Sequence, residues 1–269
     1  MVEIFQNIRK TYQFATPAGE LAEQIEFYGE TCAKKTEQFL AGQHYTIKMF
    51  PSWTPSFYIN LGQPYEMTVG HVRYKINADQ DVLVLRNSVV ERFNRPEDYI
   101  FIVKFYPGGF ESLLGINQAH FIDRVIDLRQ ILPGKFLQSL RQAGNFNKRM
   151  NLMNDYLLQS GLRNNKKDHY LKLVNDAIGE YTGSGMQLQT SDLAERLFVT
   201  SKTINRYFHK VVGVSPKNYF CILRTRTALT NYVTNSADFD PVNFGYYDHS
   251  HFSKDVRNFT GQLLKEGSF

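Results

Sequence analysis

The stretch Thr200-Ser-Lys-Thr-Ile-Asn-Arg-Tyr-Phe-His-Lys-Val-Val212 constrains the fold most, because a single helical period accounts for its apolar positions. On a helix, Ile204, Phe208 and Val211 form one stripe at i, i+4 and i+7, and Lys202, Asn205, Arg206 and His209 fall on the opposite side. That polar side carries donors and no carboxylate. Thr200 is a good N-cap, and Phe198-Val199 leaves room only for a tight turn after the helical Ala194-Glu195-Arg196-Leu197. The expectation is a helix, a turn and a second helix.

The same register returns further along the chain. Shifted by 48 positions, Thr200, Ile204, Phe208, Val211 and Gly213 land on Asp248, Phe252, Val256, Phe259 and Gly261. A cap, three core residues and a terminating glycine all recur, which implies two copies of one unit. The outer face of the second copy carries His249, Ser250, Ser253 and Lys254, with Lys254 matching Arg206. Between the copies, Gly213 closes one helix, and Ser215 as cap with Pro216 as first residue starts another that runs to about Val233. Upstream, Leu171, Val174, Ile178 and Tyr181 mark an amphipathic helix from Asp168 to Tyr181, ended by Thr182-Gly-Ser-Gly185. Thr190 or Ser191 is then expected to cap a short helix with Leu193, Ala194 and Leu197 facing inward.

The first part of the chain has a different rhythm. Tyr45–Met49, Ser56–Leu61, Glu66–Tyr74, Asp81–Leu85 and Tyr99–Tyr106 read as short strands separated by turn formers such as Gly62-Gln-Pro64, Asn77-Ala-Asp79 and Pro107-Gly-Gly109. A small antiparallel barrel or sandwich is the expected outcome. Up to about residue 40 the pattern stays open, since Leu21, Ile25, Tyr28 and Cys32 keep helical spacing while Gln24–Gly29 also reads as a strand. From Leu132 to Asp168 the pattern is helical, with Phe136, Leu140, Met150, Met153, Leu157 and Leu158 apolar and a break near Gly144–Asn147. The polar, basic run Ser160–Lys167 marks the boundary: residues 1–160 form one domain, 161–167 a linker and 168–269 the second domain.

His44, His71 and His120 have neither His-x-His nor His-x-x-x-His spacing, and no nucleophile elbow, phosphate loop or dinucleotide fingerprint occurs. The sequence calls for no metal, no cofactor and no catalytic set, so an enzyme is not expected. Tyr58, Tyr65, Tyr74, Phe101, Phe105 and Tyr106 could line a small-molecule pocket, but strand aromatics read first as core. Cys32 and Cys221 stand far apart, exclude a disulfide framework, and read as buried thiols. The net charge of +5 suits an anionic partner without naming one. No apolar run is long enough to span a bilayer, and Met1–Gln6 lacks the order of a secretory signal, so a cytoplasmic location away from membranes is expected.

With those segments in view, Ser191-Asp-Leu-Ala-Glu-Arg-Leu197, Ile204-Asn-Arg-Tyr-Phe-His-Lys210, Gly213-Val-Ser-Pro-Lys-Asn-Tyr219, Arg224-Thr-Arg-Thr-Ala228 and Gly245-Tyr-Tyr-Asp-His-Ser-His-Phe252 resemble the AraC/XylS family of bacterial transcription regulators. The resemblance covers about residues 168–262. It implies an α+β chain: an N-terminal cupin-like β barrel or sandwich with flanking helices, then an all-α domain with two helix-turn-helix units joined by a linker helix. It implies double-stranded DNA as partner, read by Lys202, Asn205 and Arg206 in the first unit and by His249, Ser250 and Lys254 in the second. Lys202 or Arg206 can donate to guanine O6 and N7, and Asn205 can pair with adenine. Thr200, His209, Lys210 and Lys217 are candidates for phosphate contact. If both reading helices enter the major groove, they lie about 34 Å apart.

The implied partners extend to RNA polymerase, a small effector in the N-terminal domain and a second copy of the chain. The alternative reading is a small-molecule-binding barrel protein or enzyme with an accessory helical domain. Two departures from the family pattern carry structural expectations. Phe198 stands where a turn glycine is usual, and Pro241 shortens the supporting helix of the second unit to about one turn capped by Asp240. The expected Ser-Pro after Gly261 is replaced by Gln262-Leu-Leu-Lys.

Overall fold

The computed structural model describes residues 10–17, 19–40, 44–95, 97–122, 124–164 and 168–264. The leader reading of Met1–Gln6 therefore lies outside the described residues. The chain divides into two compact units, one of residues 1–49 and 54–166, the other of residues 50–53 and 167–269.

In the first unit the short alternating segments become two antiparallel sheets. One holds six strands in the order β1 (Tyr12–Ala15), β2 (Ile25–Thr31), β9 (Ile100–Phe105), β4 (Pro55–Asn60), β7 (Val82–Leu85), β10 (Val125–Asp127). The other holds β3 (Tyr45–Met49), β8 (Val90–Asn94), β5 (Tyr65–Val69) and β6 (Val72–Ile76). Because side chains alternate across a strand, the six-stranded sheet serves two cores. Phe57, Ile59, Phe101, Val103 and Phe105 pack with helical residues such as Leu137, Leu140, Met153 and Leu157, while Tyr58, Val84, Ile100 and Ile102 pack with Ile47, Met49, Met67 and Val90 of the second sheet. The helices are α1 (Ala33–Leu40), α2 (Gly109–Leu114), α3 (Gly134–Gln142) and α4 (Phe146–Asn164).

Several expectations are corrected here. The ambiguous residues 21–32 contain strand β2, buried at all seven positions. A strand covered on both faces needs no alternation, and its continuous burial mimics helical spacing. The segment Glu66–Tyr74 is two strands, turned at Gly70 with φ +60°. Strands β1, β8 and β10 lie outside the segments read as strands. In β8 the inward position is Arg92, which is 1% exposed, hydrogen-bonds Asn94 Oδ1 at 2.9 Å and also bonds the Tyr12 hydroxyl, so a charged residue occupies a core-facing place. Tyr58, Tyr65, Phe101 and Phe105 are core. Both cysteines are half-buried rather than buried.

Helix α4 runs to Asn164, four residues into the stretch read as linker, and residues 165–167 lie outside the described residues. Its tie to the sheet is a buried ion pair: Arg149 Nε donates to Glu30 Oε2 at 2.6 Å, both side chains being 2% exposed. The Tyr99 hydroxyl donates to Glu30 at 2.9 Å, and Tyr28 donates to Asn154 Oδ1 at 2.6 Å. On α3, Arg141 reaches the buried Asp81 at 2.5 Å.

The second unit is built from helices: α5 (His169–Gly183), α6 (Thr190–Arg196), α7 (Ser201–Val211), α8 (Pro216–Thr234) and α9 (His249–Thr260), with a 3-10 turn at Pro241–Phe244. Among the described residues, no helix is long and apolar enough to cross a membrane.

Candidate nucleic-acid interface

Helix α7 is fixed from below by its stripe. Ile204, Phe208 and Val211 are each 0% exposed, and Phe208 packs its ring 5.2 Å from Phe220 of α8. Each buried apolar side chain of this size contributes about 1.5–3 kcal/mol. The helix starts where the sequence places it, the Thr200 hydroxyl accepting from the Thr203 N–H at 3.1 Å. The preceding helix α6 is different. Its cap is Gln189, not Thr190 or Ser191, and the Asp192 carboxylate accepts from the Gln189 N–H at 2.8 Å in a capping box. Thr190 is already the first helical residue.

The link from α6 to α7 is a Schellman turn with an unusual occupant. The Val199 N–H donates to Ala194 O at 2.9 Å and the Phe198 N–H to Glu195 O at 3.1 Å. This geometry needs a left-handed residue at the turn, normally glycine. Phe198 takes it with φ +54° while its side chain is 96% exposed. The turn that ends α7 does use glycine, Gly213 at φ +89°.

With α7 held this way, Lys202, Asn205, Arg206, His209 and Lys210 are exposed. An open depression of about 600 Å³ gathers Lys202, Asn205 and Arg206 with Ser201, Thr190, Ser215, Pro216 and Lys217. Three cations and one amide meet there with no carboxylate in the wall. Thr200, His209 and Lys210 are not among its walls. Lys210 sits with Nζ 3.4 Å from the centre of the Tyr170 ring. Arg206 lies over Tyr207, its guanidinium carbon 4.9 Å from the ring centre, and donates to the Tyr207 hydroxyl at 3.3 Å.

The second unit is assembled from α8 outward. Pro241 starts only a 3-10 turn, with the Asp240 carboxylate accepting from the Val242 N–H at 2.9 Å, so no full supporting helix stands before α9. Among the described residues, α7 is thus preceded by the full helix α6, whereas α9 is preceded only by this turn. Asp248 caps α9 by accepting from the His251 N–H at 2.7 Å, and Phe252, Val256 and Phe259 face inward. Arg224 of α8 supplies much of the remaining support. It donates to Asp255 at 2.8 Å and to Gly245 O at 3.1 Å, and its guanidinium carbon lies 4.2 Å from the Tyr246 ring centre. Burial pushes the Tyr246 hydroxyl up to about 12. Burial, reinforced by the nearby Asp255, also raises the Cys221 thiol. His249, Ser250 and Lys254 are exposed on α9.

No family model matches the chain, and no curated protein does. Among solved structures, ToxT from Vibrio cholerae is similar at 9% identity over 96% of this chain and 97% of that one, with a TM-score of 0.49. A structure of wild-type ToxT bound to an unsaturated fatty acid gives 12% identity over 82% and 89%, with a TM-score of 0.47. The cupin domain of Cnp3 from Schizosaccharomyces pombe gives 16% identity over 39% and 72%, with a TM-score of 0.28.

Two features of the interface escape a reading by spacing. Lys217, a phosphate candidate from the sequence, joins the depression from the start of α8, and its meeting with Lys202 and Arg206 does not follow from spacing along one helix. The second is a cluster of His169, Tyr170 and Tyr207. His169 Nε2 lies 2.7 Å from the Tyr207 hydroxyl, and these partners are 38 residues apart. Among the described residues, no group of three or more His, Cys, Asp or Glu side chains could hold a metal ion.

Proposed function

We propose that the chain is a sequence-specific DNA-binding transcription regulator that reads the major groove chiefly with α7. The observation that carries this reading is the depression in which Lys202, Asn205, Arg206 and Lys217 converge without a carboxylate, on a helix whose opposite face is locked into a core. Arg206 and Lys202 donate to guanine, Asn205 pairs with adenine, and Lys217, His209 and Lys210 neutralise phosphate. Thr200 acts first as the cap of α7. In the second unit His249, Ser250 and Lys254 make the corresponding contacts from α9. Residues 168–269 are then the DNA-binding domain and residues 1–160 a regulatory and dimerisation domain.

Control by a small effector, a homodimer, contact with RNA polymerase and a cytoplasmic location belong to the same proposal. The space enclosed between the two sheets beside Arg92 is about 10 Å³, room for about one water. A candidate effector site is the surface groove of about 290 Å³ walled by His44, Thr46, Tyr65, Glu66, Phe93, Asn94 and Arg95.

Selection from randomised duplexes at moderate salt, followed by sequencing, tests the reading. An enriched motif is expected, because phosphate contact alone carries no sequence information. Absence of any enriched motif refutes it. Arg206→Ala should lose about 1–3 kcal/mol and relax the preference at one base pair, whereas Lys217→Ala should weaken all sequences alike and lower the salt dependence by about one counterion.

A further inference from the structure

We infer that Tyr207 and His169 are positioning residues for base recognition: they form a clamp that holds the Arg206 guanidinium ready for its base edge. The inference rests on the reading of α7 as the DNA-reading helix. Arg206 is exposed, and an exposed arginine ordinarily samples many rotamers that binding must freeze. Here two contacts restrict it, the hydrogen bond to the Tyr207 hydroxyl at 3.3 Å and the stacking over the same ring at 4.9 Å.

Tyr207 is itself held. Its hydroxyl lies 2.7 Å from His169 Nε2, the His169 ring stands edge-on with centres 5.4 Å apart, and the Tyr170 ring lies at 6.0 Å. With the imidazole proton on Nδ1, the Tyr207 O–H donates to Nε2, and its oxygen remains free to accept from Arg206. The tyrosine hydroxyl thus links the start of α5 to the reading side chain of α7. The same aromatic group positions a second cation one turn on, since Lys210 Nζ lies 3.4 Å from the Tyr170 ring centre. An apolar residue at 207 would fill the space beside α5 as well but could make neither hydrogen bond. The Tyr207 ring packs against the core of the second unit, and it is the hydroxyl that serves the orientation of Arg206.

The test compares the motifs selected by the full-length wild type, Arg206→Ala, Tyr207→Phe, His169→Ala and the Arg206→Ala/Tyr207→Phe double variant, with melting temperatures measured alongside. Tyr207→Phe keeps the ring and removes both hydrogen bonds. It should relax preference at the same base pair as Arg206→Ala, by about three- to tenfold, the scale of one hydrogen bond. His169→Ala, an exposed substitution that leaves α7 intact, should relax that base pair in the same sense and to a smaller extent. The double variant should discriminate no worse there than Arg206→Ala alone. A uniform loss of affinity in Tyr207→Phe and His169→Ala with the motif unchanged would show a merely structural role and overturn the clamp, leaving the DNA-binding reading intact. An unchanged motif in Arg206→Ala would also overturn it, since there would be no reading arginine to position. If the wild type selects no motif, the functional reading fails and the clamp fails with it.

Discussion

Replacing Phe198 by glycine should make the second unit more stable. Phe198 occupies the left-handed position of the turn between α6 and α7 at φ +54°, where a side chain with a Cβ atom is disfavoured by about 1–2 kcal/mol. Its ring is 96% exposed, so truncation forfeits almost no burial. Glycine gains the strain back but loses about 0.4–1 kcal/mol through the larger freedom of its unfolded chain. The net expectation is a stabilisation of about 0.5–1 kcal/mol, which for a domain of about 100 residues raises the melting temperature by roughly 3–6 °C. Scanning calorimetry of the full chain, following the transition of the second unit, measures it. Phe198→Ala is the control, since alanine keeps the Cβ and the strain and should show no such gain. A glycine variant that melts at or below the wild type, or an alanine variant that gains as much, would refute the argument from backbone geometry.

Three other perturbations address the rest of the molecule. Burial, offset in part by Arg141, pushes the Asp81 carboxyl from 3.8 up to about 6. The stability contributed by this group is thus fully present below the unfolded value and is lost as pH rises through about 6, on the order of 2–3 kcal/mol. Asp81→Asn should flatten that decline in urea titrations between about pH 4 and pH 7, and an unaltered slope would exclude Asp81 as its source. Glu30→Gln leaves Arg149 without its charge partner in a site where both side chains are 2% exposed. It should cost the first unit about 3–5 kcal/mol in denaturant unfolding, and an unmoved midpoint would contradict the buried pair. Lys254→Ala should weaken only the far part of the selected DNA site; equal affinity and an identical footprint would mean that α9 does not dock.

What could be read in the sequence follows from where the physics is local. Helix α7 was legible because its cap, stripe and terminating glycine all lie within 14 consecutive residues. Pro241 announced its own short turn because proline acts on its immediate backbone. The strands of the first unit were legible where one face was polar. They were legible also where burial is two-sided but turn formers bound an apolar run, as in β4, β7 and β9, and not in β2, where helical spacing competes, or in β8, where Arg92 holds a core position. The Gln189 cap was hidden because glutamine is a poor cap by type and works here only with Asp192 returning the hydrogen bond. For the interface, the exposed residues of α7 came directly from the period. The contribution of Lys217 and the contact of His169 with Tyr207 depend on how separate helices meet, which spacing along one helix does not encode.

The reduced second unit also has a consequence for how the molecule opens. Helix α9 has no supporting helix of its own, and its charged anchor, Arg224, belongs to α8. Protection of its backbone amides from solvent hydrogen exchange therefore depends on α8 and on the loop aromatics Phe50 and Phe239 that pack on Phe259 and Phe252, whereas α8 can remain docked on Phe208 and Tyr181 when α9 detaches. Helices α7 and α9 thus form a hierarchy of opening in which α9 is released first and α7 last.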